Sequence, residues 1–165
     1  CDWSSDVCSS DLNVVMYDGE QEQIKAYLEK VTGGRNMQLI IIRNDLSHIF
    51  AISEALDRNQ LVCMHADRFM PGNKTLPAHF LGEIANFPAG PFILASRFNV
   101  PVSMVFAFKE TTRHYHLYAT KPGDYATQLK SGKMDILFKE FVTEMAAKTR
   151  LYPEQWFNYY DFWKA

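Results

Sequence analysis

No apolar run in this chain approaches the roughly 18 residues needed to span a bilayer. No basic start followed by an apolar middle marks a secretory leader. Cysteine is scarce. Cys1, Cys8 and Cys63 are irregularly spaced and build neither a disulfide framework nor a zinc pattern. A reducing, cytosol-facing setting fits them, and Cys63, inside an apolar run, reads as a small buried hydrophobe. Excess charge is missing too. The balance of 17 basic and 19 acidic residues gives a net charge of -2, which argues against a nucleic-acid partner that relies on a broad basic surface. Neither G-x-G-x-x-G nor G-x-x-x-x-G-K occurs, which weighs against a nucleotide-binding module. Internal repeats and domain-dividing linkers are also lacking.

Residues 1–12, CDWSSDVCSSDL, are Ser- and Asp-rich without a period of two or 3.6. They resemble a translated sequencing adaptor and are expected to be non-native, leaving residues 13–165 as one domain whose earlier part is elsewhere. From Asn13 onward the pattern alternates strand and helix. Asn13 to Tyr17 reads as a strand. Asp18 is a candidate cap for a helix with Ile24, Tyr27, Leu28 and Val31 on one face, stopped at Gly33-Gly34. Leu39 to Arg43 reads as a strand. Asp45 is a second cap candidate, for a helix lined by Leu46, Ile49, Phe50 and Leu56. Leu61 to Met64 reads as a buried strand. This alternation predicts an α/β fold with a mixed, mostly parallel sheet flanked by helices.

The block from Leu61 to Val105 carries the chemistry-bearing residues. His65, Asp67 and Arg68 follow a strand's carboxyl end, where open α/β sheets bind ligands. A turn at Pro71-Gly72-Asn73 leads to an apolar segment ending Phe80-Leu81-Gly82-Glu83. A helix is expected over Phe87–Phe98, a strand over Pro101–Phe106, and an antiparallel partner over His114–Ala119. Lys121 to Lys133 reads as a loop. Met134, Leu137, Phe138, Phe141 and Met145 form a helical stripe ending near Arg150, and Pro153 suits the first turn of a short last helix.

Five elements then stand in a telling order: Asp67-Arg68, Phe80-Leu81-Gly82-Glu83, Pro88-Ala89-Gly90-Pro91, Val100-Pro101-Val102 and Tyr152-Pro153-Glu154-Gln155-Trp156-Phe157. Together they resemble the later half of the bacterial lipid A acyltransferase family (lauroyl- and myristoyl-transferase type), akin to the lysophospholipid acyltransferases. The resemblance implies a glycerolipid-acyltransferase-like fold. It implies transfer of a fatty acyl group from a thioester carrier, acyl carrier protein or coenzyme A, to a lipid A precursor or related lipid hydroxyl. It further implies peripheral contact with the cytoplasmic face of the bacterial inner membrane, and no cofactor or metal.

Acyl transfer to a hydroxyl needs a base for the hydroxyl proton and a stabiliser for the oxyanion. The family's base is a histidine in H-x-x-x-x-D/E. Here His48, His65, His79, His114 and His116 are followed five residues on by Ser53, Met70, Ile84, Ala119 and Lys121. No histidine carries the motif, which agrees with a base supplied from elsewhere. In that scheme Asp67 orients the missing histidine, and Arg68, His65 and Gly90 are the candidate substrate contacts. Arg68 suits a phosphate, and the helix start at Pro88-Ala89-Gly90-Pro91 suits an anion, although close backbone packing is an equally good use of Gly90. His114 and His116 share a strand face without a third ligand, so no metal is expected. Phe92, Leu94 and Phe98 suit either an acyl tunnel or plain core. The aromatic end, Tyr152 to Trp163, suits either a membrane interface or docking on the core. A ligand-binding domain without catalysis is the alternative function.

Overall fold

The computed structural model describes residues 12–17, 37–43, 45–123, 133–159 and 161–164. The expected helix over Ile24–Val31 with its Asp18 cap and Gly33-Gly34 stop lies outside these residues, as do residues 1–11 and most of the Lys121–Lys133 loop. The chain divides into two compact units, Cys1–His65 and Ala66–Ala165.

The first unit is a parallel sheet. β1 (Leu12–Tyr17) is central, with β2 (Met37–Ile42) on one side and β3 (Leu61–Met64) on the other. Leu12 pairs with both Met37 and Leu61, so the strand starts one residue earlier than expected. β1 is buried on both faces at Val15 and Met16, as a central parallel strand must be. Asn13 is also buried, and its amide is satisfied by donating to Gln60 Oε1 at 3.1 Å and to the Leu61 carbonyl at 3.3 Å. α1 (Ser47–Asp57) joins β2 to β3.

Two expectations fail in this unit. α1 buries Ile52 and Ala55, whereas Leu46 and Phe50 are exposed. Apolar residues run nearly all round this helix, so spacing alone did not select a face. β3 is an edge strand, with Leu61 and Cys63 exposed and Val62 and Met64 half-buried. Its alternation is that of a half-covered strand, and Cys63 is not core. Partial burial still pushes the Cys63 thiol above its ordinary value.

Among the described residues, the second unit has two antiparallel hairpins and two α-helices. β4 (Thr75–Phe80) and β5 (Glu83–Pro88) pair in full register. Their two-residue turn has positive φ at Leu81 (54°) and Gly82 (109°), the pattern that matches right-handed strand twist. Leu81 tolerates this because its side chain packs on the core. Met70-Pro71-Gly72-Asn73 is the expected turn: Asn73 N–H donates to the Met70 carbonyl at 3.1 Å, with Gly72 at φ 87°. The expected Phe87–Phe98 helix begins three residues late, as α2 (Gly90–Phe98), because Phe87 and Pro88 complete β5 opposite Leu76 and Thr75. The next strand is likewise displaced from Pro101–Phe106 to β6 (Val105–Lys109), which pairs with β7 (Tyr115–Ala119). Only Val102 of the earlier stretch forms a bridge, to Gly123. α3 (Lys133–Leu151) buries Leu137, Phe138 and Met145 of its expected stripe, with Met134 and Phe141 half-buried, and buries Val142 and Ala146 besides. A 3-10 turn at Pro153–Gln155 follows.

The architecture is thus mixed α/β, but the expected mostly parallel sheet is corrected: the described residues form one short parallel sheet in the first unit and two antiparallel hairpins in the second. The short β4–β5 and β6–β7 connections leave no room for the crossover a parallel neighbour requires.

Candidate functional site

Phe80 is the centre of the second unit's core. Fully buried, it packs edge-to-face on Phe87 (centroids 5.6 Å), Trp156 (5.3 Å) and Phe162 (5.7 Å), and stacks on Trp163 at 6.3 Å. Its backbone carbonyl accepts the Trp163 indole N–H at 3.1 Å. The aromatic C-terminal stretch is therefore docked on the core through Trp156, Phe162 and Trp163, while Phe157 and Tyr159 project outward. Phe92 is core as well, with ring contacts to Phe138 at 5.1 Å and Phe141 at 5.4 Å.

Docking brings the last element of the sequence pattern onto the first. Trp156 Nε1 donates to Asp67 Oδ2 at 3.2 Å, across 89 residues of chain. Beside it Arg68 donates to the Phe157 carbonyl at 3.4 Å. Gln155 makes a third clamp: its side-chain amide donates to the Lys109 carbonyl at 2.8 Å and accepts the Lys109 N–H at 2.6 Å. A primary amide offers one donor and one acceptor side by side, so Gln155 imitates a neighbouring strand at the end of β6. Asp67 is half-buried and Arg68 exposed. This gives the pair a graded setting: a half-buried carboxylate held by an indole, and next to it an exposed guanidinium.

His65 closes the first unit, exposed, one residue beyond β3. Gly90 opens α2, where no side chain caps the helix start. A Cβ built at Gly90 meets nothing within 4 Å, so close packing does not explain this glycine, whereas Gly82 serves its turn through its φ of 109°. His114 sits against Thr111 (Nδ1 to Oγ1 3.3 Å), and His116 faces Glu110 (Nδ1 to Oε1 3.0 Å) while stacking on Tyr118 at 4.1 Å. Among the described residues no group of three His, Cys, Asp or Glu side chains converges as a metal site.

Sequence spacing missed one cluster. The Tyr118 and Tyr152 hydroxyls share a hydrogen bond of 2.9 Å, Tyr152 stacks on Phe108 at 4.2 Å, and Lys148 Nζ lies 3.5 Å over the Tyr118 ring. The hydrogen bond to Tyr152 pushes Tyr118 above the ordinary tyrosine range. The alternation of β7 groups Tyr118 with His116, opposite the more apolar Tyr115, Leu117 and Ala119, so the sequence carries no sign that the Tyr118 face is the one turned inward. Against these geometries, a scan of protein-family models returns no match for the chain, and a search of curated proteins returns none that is significant.

Proposed function

We propose that this chain is the C-terminal portion of an acyltransferase domain, moving a fatty acyl group from an acyl thioester to the hydroxyl of a lipid A precursor or a related lipid. One observation carries the reading: five sequence elements stand in the resembled order, and the last, Trp156-Phe157, is hydrogen-bonded to the first, Asp67-Arg68. The reaction joins the acceptor oxygen to the thioester carbonyl carbon and expels the carrier thiolate. A histidine outside these residues takes the hydroxyl proton. Asp67 holds that histidine's tautomer and stabilises its imidazolium, with Trp156 restraining the carboxylate. Arg68 contacts a phosphate of the carrier arm or acceptor. The chemistry requires no metal, and the lipid acceptor puts the work at the cytoplasmic face of the inner membrane.

The test is the DNA of the source organism across codons 12 and 13. An in-frame H-x-x-x-x-D/E upstream is the expected result, and a frame lacking it overturns the catalytic reading. One observation favours a second reading, a lipid- or ligand-binding domain without catalysis: no histidine in the chain is followed by an acid five residues on. Purified chain that binds acyl carrier or lipid in the absence of turnover by the whole reading frame distinguishes it.

A further inference from the structure

The β6–β7 hairpin has two faces of opposite character. Alternation places Phe106, Phe108, His116 and Tyr118 on one face. Phe108 is buried there, Phe106 packs on the core, and Tyr118 is held by Tyr152 and Lys148. The opposite face carries Val105, Ala107 and Lys109 across from Ala119, Leu117 and Tyr115. Its large apolar residues are open to solvent: Val105 is 67% exposed, Tyr115 64% and Leu117 71%. No acidic residue lies on this face. Exposed cations mark both of its ends, Lys109 and Arg113 at the turn and Lys121 beyond Ala119. The segment's one acid, Glu110, is engaged by His116, which belongs to the other face.

We infer that this outer face is a docking surface for an anionic lipid bilayer. Three cations and one acid give residues 105–121 a charge of +2, within a chain whose net charge is -2. Charge segregated around an apolar centre is what a negative lipid surface attracts, each cation adding to the apolar contact. The surface is also preformed. Gln155 clamps Lys109, and Thr120 fixes the segment preceding β6 by accepting the Met104 N–H at its Oγ1 (2.9 Å) and the Ser103 hydroxyl at its carbonyl (2.7 Å). Docking then costs little ordering. The surface gives the proposed membrane contact a place and, for its role in the cell, rests on that reading.

The test is co-sedimentation of the purified chain with vesicles of roughly equimolar phosphatidylglycerol and phosphatidylcholine, and with phosphatidylcholine alone. No acyl donor is present, so a failure here leaves the acyl-transfer reading to its own assay. Binding to the anionic vesicles, weakened by salt, is the expected result. Leu117→Asp abolishes it, and Lys109→Ala, Arg113→Ala and Lys121→Ala each weaken it about fivefold. Leu117→Thr, which keeps strand propensity, provides the same reading where Leu117→Asp unfolds the hairpin. Absence of binding, binding unaffected by both Leu117 variants, or a dimer that Leu117→Thr dissociates overturns the inference, the last by showing a second copy on the face.

Discussion

Replacing Phe80 by alanine removes a ring that meets four other rings at centroid distances of 5.3 to 6.3 Å. A buried Phe→Ala change costs about 3–5 kcal/mol in transfer and cavity terms together, and the lost aromatic geometry places this site in the upper part of that range. The second unit, Ala66–Ala165, is about 100 residues long, so its unfolding entropy is about 0.2 kcal/mol/K. A loss of about 4 kcal/mol then lowers Tm by about 20 °C, a large share of a typical domain's whole stability. Phe80→Leu keeps most of the volume and costs about 1–1.5 kcal/mol, or about 5–7 °C. Near-UV circular dichroism during heating is the assay, because Trp156 and Trp163 pack on this ring and report its loss directly. A Phe80→Ala protein that melts within about 5 °C of the parent refutes Phe80 as the hub. So does one that melts with Phe80→Leu, since a shared value means that the volume leucine retains, and the cavity alanine opens, contribute nothing at this position.

Gln155→Ala deletes both bonds to the Lys109 backbone, at about 0.5–1.5 kcal/mol each, and hydrogen exchange at the Lys109 amide accelerates while the Phe108 interior is unchanged. Tyr152→Phe removes the hydroxyl partner of Tyr118, so absorbance titration shows Tyr118 ionising closer to its ordinary value of 10. The sign follows from the folded group being raised: the pair's stabilisation is full below the unfolded value and is lost as pH rises through the folded one, so Tyr152→Phe lowers stability at neutral pH and flattens the alkaline fall, the two proteins converging above the folded value. Gly82→Ala meets no steric neighbour but must hold φ near 109°, which costs about 1–2 kcal/mol of backbone strain and lowers Tm by about 5–10 °C.

Much of this structure is legible in the sequence wherever one face is decisively apolar. The stripe on Lys133–Leu151 named its buried side because charged residues occupy the rest of that helix. The antiparallel β6–β7 pair followed from the shortness of its connection. Reading failed where apolar residues are less selective. At Ser47–Asp57 and its preceding cap residue, the exposed Leu46 and Phe50 are as hydrophobic as the buried Ile52, and only the packing partner decides between them. Phe87 continued an apolar run into what read as a helix, yet its cross-strand pairing with Leu76 holds it in β5, a long-range fact no local window contains. The expectation of a mostly parallel sheet rested on the opening strand–helix alternation, which the two hairpins of the second unit do not continue. At the candidate site, Asp67 and Arg68 were visible as polar residues after a strand end. Trp156, the side chain that restrains Asp67, lies 89 residues away and was visible only as part of a sequence pattern, with no sign of what its indole would touch.

The most direct measurement is transfer of a labelled acyl group from an acyl thioester to a lipid A precursor, by protein expressed from the whole source reading frame and by its Asp67→Asn variant. Asparagine keeps an oxygen that accepts the Trp156 indole N–H, so the fold is retained while the charge is removed. Loss of a carboxylate that orients a catalytic histidine lowers kcat by about 10⁴-fold in hydrolytic triads, and a fall of at least about 10²-fold is predicted here by the same reasoning. Absence of transfer by the parent protein, or equal transfer by Asp67→Asn, contradicts the account.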